Sequence, residues 1–211
     1  MDKQSTMKQI QKFFVTGILI FMLTFTPEIM AKESKYFGHT AVGFEIGSWK
    51  PNTLEGDKSA LPFGVEGASP SILFFITSPQ LGDWTLRGSC GYWAQANIQN
   101  KENLQSANLV MLMVDLKERI LSDSRLTPFV SYGISFSLGS ESPVNKKYRQ
   151  LTGGYETGYG VNVGAGFDLW LYKKWALTME FCYHYLVFNR VVGLTDDYSG
   201  PKINVGFFYS F

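Results

Sequence analysis

Ile203-Asn204-Val205-Gly206-Phe207-Phe208-Tyr209-Ser210-Phe211 ends the chain, and its reading decides the fold. Ile203, Val205, Phe207, Tyr209 and Phe211 are apolar or aromatic at every second position. Successive side chains of a strand point to opposite faces, so these five share one face. Asn204, Gly206, Phe208 and Ser210 occupy the other, which is mostly small or polar. A water-soluble domain gains little from an aromatic-rich strand at its end. A sheet closed on itself in a membrane needs one, because its last strand must pair with its first.

The same alternation runs upstream and predicts seven more strands. The first is Thr40–Trp49, with Val42, Phe44 and Ile46 opposite Ala41, Gly43, Glu45 and Gly47. The second, Ser71–Thr77, is a short apolar run whose facing stays open. In Asp83–Ala96, Trp84, Leu86, Cys90 and Tyr92 oppose Thr85, Arg87, Ser89, Gly91 and Gln95, and Trp93 falls on the polar side. In Ala107–Arg119, Val110, Leu112, Val114 and Leu116 oppose Met111, Met113, Asp115 and Lys117. In Thr127–Leu138, apolar residues from Val130 to Leu138 oppose Ser131, Gly133, Ser135 and Ser137. In Thr157–Leu171, Tyr159 to Leu169 oppose Gly160, Asn162, Gly164, Gly166 and Asp168. In Lys174–Tyr185, Trp175 to Tyr185 oppose Thr178, Glu180, Cys182 and His184.

Connections alternate in length. Residues 50–70, 97–106, 139–156 and 187–200 are long and polar, whereas 78–82, 120–126 and 172–173 are short. An even strand count, with both termini at the short-turn end, predicts an all-β, eight-stranded antiparallel transmembrane barrel with long extracellular loops and short periplasmic turns. A β-sandwich would show Lys, Glu and Thr on its second face, since that face meets water. Here that face is Gly and Ser, which suits the cramped interior of an eight-stranded barrel. Trp84 and Trp175 lie at the short-turn ends, where an interfacial aromatic girdle is expected.

The N-terminus fits export. Lys3, Lys8 and Lys12 precede the apolar run Phe13–Phe25, which is shorter than the roughly 20 residues of a membrane span. Residues 1–31 read as a signal peptide cut after Ala31, and 32–211 as the barrel domain; Met7 serves equally well as the start. Removing 1–31 takes away Lys3, Lys8, Lys12, Asp2 and Glu28 and brings the formal charge from +1 to zero. That balance argues against a nucleic-acid partner.

The chain resembles the small bacterial outer-membrane barrel families of the OmpA and OmpW type. Leu126–Gly133 (LTPFVSYG) and Gly160–Leu169 (GVNVGAGFDL) look like their middle strands, and Ser199–Gly206 (SGPKINVG) like the approach to their final strand. The resemblance implies an outer-membrane location in a Gram-negative-type bacterium and contact with outer-membrane lipids and lipopolysaccharide. It also implies that Ile203, Val205, Phe207, Tyr209 and Phe211 act as the C-terminal signal read by the barrel-insertion machinery. A monomer is expected.

Glu45, Arg87, Asp115, Lys117, Asp168, Glu180 and His184 fall on the predicted lumen face. Opposite charges confined there should pair, because an unpaired buried charge is very costly. The favoured reading is a salt-bridge plug; the other is a polar gate. Cys90 faces lipid and Cys182 the lumen, on opposite walls, so two free thiols are expected. No cofactor or metal site is implied. Lipid A deacylases on small barrels carry a His-x-Ser pair, but here the chain reads His184-Tyr185-Leu186. Glu180 is four residues away, about 13 Å along a strand, so a serine from another strand would be required. A hydrogen-bonded lumen or rim histidine is the favoured reading. His39 reads as a surface residue, Asp196-Asp197 as a solvated loop rather than a calcium bridge, and Lys146, Lys147 and Arg149 as candidate contacts to lipid phosphates.

Three functions follow. A non-enzymatic structural or surface-contact barrel with a largely plugged lumen is preferred. An OmpW-like conduit for small hydrophobic molecules would use Met111, Met113, Trp93 and Phe208, with Leu73 or Phe75. A lipid A-modifying enzyme would use His184.

Overall fold

The computed structural model describes residues 39–53, 69–79, 83–97, 105–120, 124–143, 155–193 and 195–211. Residues 1–31, read above as a signal peptide, and Lys146, Lys147 and Arg149 lie outside them. Strands are β1 Ala41–Trp49, β2 Ser69–Thr77, β3 Trp84–Asn97, β4 Gln105–Arg119, β5 Leu126–Pro143, β6 Tyr155–Tyr172, β7 Trp175–Val192, the three-residue β8 Thr195–Asp197, and β9 Gly200–Ser210. Each long strand pairs antiparallel with its neighbours, β9 pairs with both β1 and β7, and β6 with β7. The sheet is therefore a closed barrel of eight long strands. Closure removes the unpaired edges that a membrane would not tolerate.

The final strand does what its pattern predicts. Val42 faces Tyr209 and Phe44 faces Phe207 across the β1–β9 seam, and the Phe211 N–H donates to the Thr40 carbonyl at 3.0 Å. Ile203, Val205, Phe207 and Tyr209 point outward, while Lys202, Asn204, Phe208 and Ser210 are buried.

The outer face is an apolar belt of Phe44, Ile46, Ile72, Phe74, Leu112, Val163, Phe181 and their neighbours; Phe74 is 66% exposed. Only lipid makes such exposure favourable over a whole wall. The open facing of β2 resolves here: Ile72, Phe74 and Ile76 face out, Leu73 and Phe75 in. At the short-turn end Trp175 packs on Phe207 and Tyr209, and Tyr209 on Phe211; Trp84 meets Tyr132 edge-on. At the other end exterior polar pairs mark the rim, with Tyr92 Oη donating to Asn108 Oδ1 and Asn189 Nδ2 to Thr157 Oγ1, both at 2.8 Å.

The outer connections are shorter than the sequence indicates. The 139–156 connection gives residues to β5 and β6, and 187–200 is largely strand: β7 continues to Val192, and β8 folds back beside it. Alternation fades after Leu138 and Tyr185 because these strands leave the belt. Ser140 and Asn189 then replace apolar residues outside, although Phe188 and Val192 still point inward.

Inside, absent side chains make room for present ones. A Cβ on Gly139 would lie 2.8 Å, and one on Gly158 2.9 Å, from the Phe188 ring. Gly139→Leu should therefore block the compact fold, read as loss of the fast-migrating form on an unheated detergent gel, and Phe188→Ala should restore part of it. Cys90 is exposed on the outer wall and Cys182 is buried, both unpaired. A lipid-soluble maleimide should label Cys90 in membranes and leave Cys182 untouched until the barrel is unfolded, as mass spectrometry of the labelled peptides will show.

Candidate functional site: the lumen

The lumen is stratified. Toward the short-turn end Ala41, Phe75, Trp170, Ala176 and Phe208 form an apolar layer, with Trp170 and Phe208 edge-on at 5.4 Å. Toward the outer end a larger layer holds Trp49, Trp93, Leu109, Met111, Leu186, Phe188 and Tyr198. Tyr198 sits at its centre, 5.8 Å from Trp93 and 5.3 Å from Phe188 between ring centroids, and its hydroxyl donates to the Val192 carbonyl. Burial, with the Glu141 carboxylate nearby, raises the Tyr198 hydroxyl pKa above its ordinary range.

A charge cluster centred on Arg87 lies between the two layers, and a second one, with Lys117 and Arg119, borders the short-turn-end layer. Arg87 of β3 is 4% exposed and reaches three carboxylates. Its Nη1 lies 3.0 Å from Glu45 Oε1 of β1 and 2.9 Å from Glu180 Oε2 of β7; its Nη2 lies 3.0 Å from Asp115 Oδ2 of β4. Strands β3 and β7 stand on opposite walls, so this one guanidinium bridges the lumen. Glu180 also accepts a hydrogen bond from Ser131, and Asp115 accepts one from Asn162 Nδ2 at 2.8 Å. Nearer the short-turn end Asp168 of β6 takes Lys117 at 3.4 Å and Arg119 at 3.3 Å, both from β4. Arg119 also bonds Thr85, and Lys117 Nζ stands 3.6 Å from the centroid of the Phe129 ring.

Glycine lets these groups meet. Asp115, Gly133 and Asn162 stand side by side on β4, β5 and β6, and a side chain on Gly133 would collide with the Asp115 carboxylate. Ser135, Gly160 and Leu186 form a similar row, with His184 beside it. A Cβ on Gly160 would lie 2.6 Å from Ser135 Oγ and 3.2 Å from His184 Nε2. Without it, Ser135 Oγ and His184 Nε2 hydrogen-bond over β6 at 2.8 Å. The serine missing from the His184 strand is thus supplied by β5. His184 also stacks on Trp49, with centroids 5.1 Å apart. Among the described residues its Nδ1 has no hydrogen-bond partner, and no carboxylate there orients the ring.

All seven predicted lumen residues are buried. Six of them form the two ion clusters, whereas His184 joins Ser135 and Trp49 instead. Two charges escaped the sequence reading: Arg119 and Lys202, both fully inward. Their signal was parity alone. Lys202 shares the face of Asn204 and Phe208, and Arg119 that of Asp115 and Lys117. With them, the buried charges among the described residues are Arg87, Lys117, Arg119 and Lys202 against Glu45, Asp115, Asp168 and Glu180, a neutral set. His39 is exposed at the short-turn mouth. Asp197 accepts the Ser199 N–H at 2.8 Å, which holds the turn into β9.

No protein-family model matches the chain, and no curated protein matches it. Solved structures do. The crystal structure of Neisserial surface protein A aligns with 82% of this chain and 97% of its own at a TM-score of 0.57 and 15% identity. That of the outer membrane protein OprG from Pseudomonas aeruginosa aligns with 85% of this chain and 99% of its own, at 0.59 and 12%. The fold is that of the small outer-membrane β-barrels. At such identity the likeness carries the architecture alone, so what distinguishes this barrel must come from its own lumen.

Removing one partner from a buried ionic cluster leaves charge that cannot be solvated, at a cost of about 3–5 kcal/mol. Arg87→Ala leaves three such carboxylates. It should lower the urea midpoint of the barrel in detergent micelles far more than Glu180→Gln, which leaves the guanidinium two acids. Arg87→Lys should rescue little, because an ammonium lacks the planar fork that reaches several strands.

Proposed function

We propose that this chain is an integral outer-membrane protein, exported by its N-terminal segment, whose lumen is closed by its own side chains. Its activity is then structural or surface contact through the outer connections rather than catalysis or bulk transport. The observation that carries this reading is the position of Arg87, bonded to β1, β4 and β7 between two aromatic layers. An eight-stranded barrel has interior room only for side chains, and here the space beside Arg87 has about 10 Å³ open to a water centre. The partners are outer-membrane lipids and lipopolysaccharide against the apolar belt, and the barrel-insertion machinery, for which Ile203, Val205, Phe207, Tyr209 and Phe211 form an outward aromatic stripe. We infer a monomer.

The apolar outer layer favours a second reading, a lateral route for small hydrophobic molecules past Trp93 and Met111. A lipid-modifying enzyme is supported less. Ser135 and His184 are paired, yet both are buried, His184 is stacked under Trp49, and among the described residues no acid orients its ring.

Planar-bilayer recording of the refolded barrel should show no stable open steps, and Arg87→Ala, if it folds, should produce them. Steady steps from the unaltered protein would overturn the plug and make transport the working reading. Lipid A deacylation that is lost on His184→Ala would overturn the non-enzymatic reading.

A further inference from the structure

Among the described residues, Lys202 is the one buried cation without a direct hydrogen-bond or ion-pair partner. Arg87, Lys117 and Arg119 each hold a carboxylate, whereas the Lys202 ammonium, 2% exposed, makes no hydrogen bond among the described residues. It lines a small cavity with Asn162, His184, Asn204, Glu45 and Glu180. Three more polar atoms of that lining have no partner: Asn162 Oδ1, Asn204 Oδ1 and His184 Nδ1. All three residues are more than nine-tenths buried. Asn162 Oδ1, Asn204 Oδ1 and His184 Nδ1 thus converge with the Lys202 ammonium on one void, and buried polar groups are nearly always satisfied.

We propose that this cavity is a binding site for a single structural water molecule, which joins Lys202 to the lumen network. Size and chemistry select the ligand. About 10 Å³ open to a water centre is the space one water requires, and buried waters typically make about three hydrogen bonds. A water accepts one bond from the Lys202 ammonium and donates two, to Asn162 Oδ1 and Asn204 Oδ1. A metal cation is opposed by Lys202 and by Arg87, which lines the same void. An anion is opposed by Glu45, Glu180 and the two amide oxygens. An organic ligand does not fit. The water thereby ties β6 to β9, strands that the direct salt bridges leave unlinked to each other. Lys202 is a positioning residue: it completes the charge balance of the lumen from the strand that closes the barrel. The inference deepens the plug reading and rests on it only for the closed state of the lumen.

Two measurements test it. A high-resolution crystal structure of the unaltered barrel should show one spherical density peak within hydrogen-bond distance of Lys202 Nζ, Asn162 and Asn204. An empty cavity, or density longer than one atom, would overturn the site, as would an anomalous peak after a bromide soak. Melting in micelles supplies the second test, with Lys202→Met, Asn204→Leu and the double variant. If one water serves both groups, each single change lowers the melting temperature by several degrees and the double falls little below the worse single. Fully additive losses would mean that the two side chains do not share a ligand. Conductance of the unaltered protein would overturn the plug without altering either readout, so the two failures are distinguishable.

Discussion

A guanidinium buried inside a narrow barrel cannot be left alone. Taking Arg87 out of water costs several kcal/mol even after relaxation, and only close, well-oriented carboxylates offset it. Glu45, Asp115 and Glu180 do so from three different strands. The rest of the lumen is arranged around that demand. Three acids about one base leave excess negative charge, and Lys117, Arg119 and Lys202 balance both that excess and Asp168. The neutral sum explains how so much charge persists in a space with almost no water. It also ties β3 to the opposite wall, which hydrogen bonds between adjacent strands cannot do.

The same narrowness sets the steric rule. Side chains from eight strands converge on one axis, and if every inward position were large the wall could not close. Where Asp115 and Asn162 meet, or Ser135 and His184, the strand between them carries glycine. At Gly139 and Gly158 the absent Cβ atoms seat Phe188 instead. Glycine within a strand weakens it by itself, and here a contact between second-neighbour strands takes its place. The aromatic layers above and below exclude water from the charges, which strengthens each pairing.

The outer wall was legible in detail because lipid demands the same answer everywhere: every second residue apolar. Val110 to Leu116 and Trp175 to Tyr185 follow that rule without exception, and their faces read directly. The lumen was legible only in part. Glu45, Arg87, Asp115 and Glu180 are inward by parity, but parity says nothing of which acid reaches which base. Lys202 was overlooked beside Pro201 because no alternating run precedes it, and Arg119 because it ends its strand. Phe129 and Phe188 broke the small-residue expectation for the interior, since their space is made by glycines on other strands, Gly166 for Phe129 and Gly139 and Gly158 for Phe188. The pairing of His184 with a serine from another strand was open in the sequence; that the serine is Ser135 became visible only across β6.

By itself the sequence determined the closed antiparallel barrel, its apolar outer face and most of its inward charges. These follow from a period of two, which is a local property of extended backbone. Tertiary structure alone decided partners: Arg87 with three acids, Asp168 with two bases, Ser135 with His184, and the void beside Lys202. Partners depend on the stagger between strands and on how far each side chain crosses the lumen. Stagger is set by the closure of the whole barrel, so no single strand encodes it.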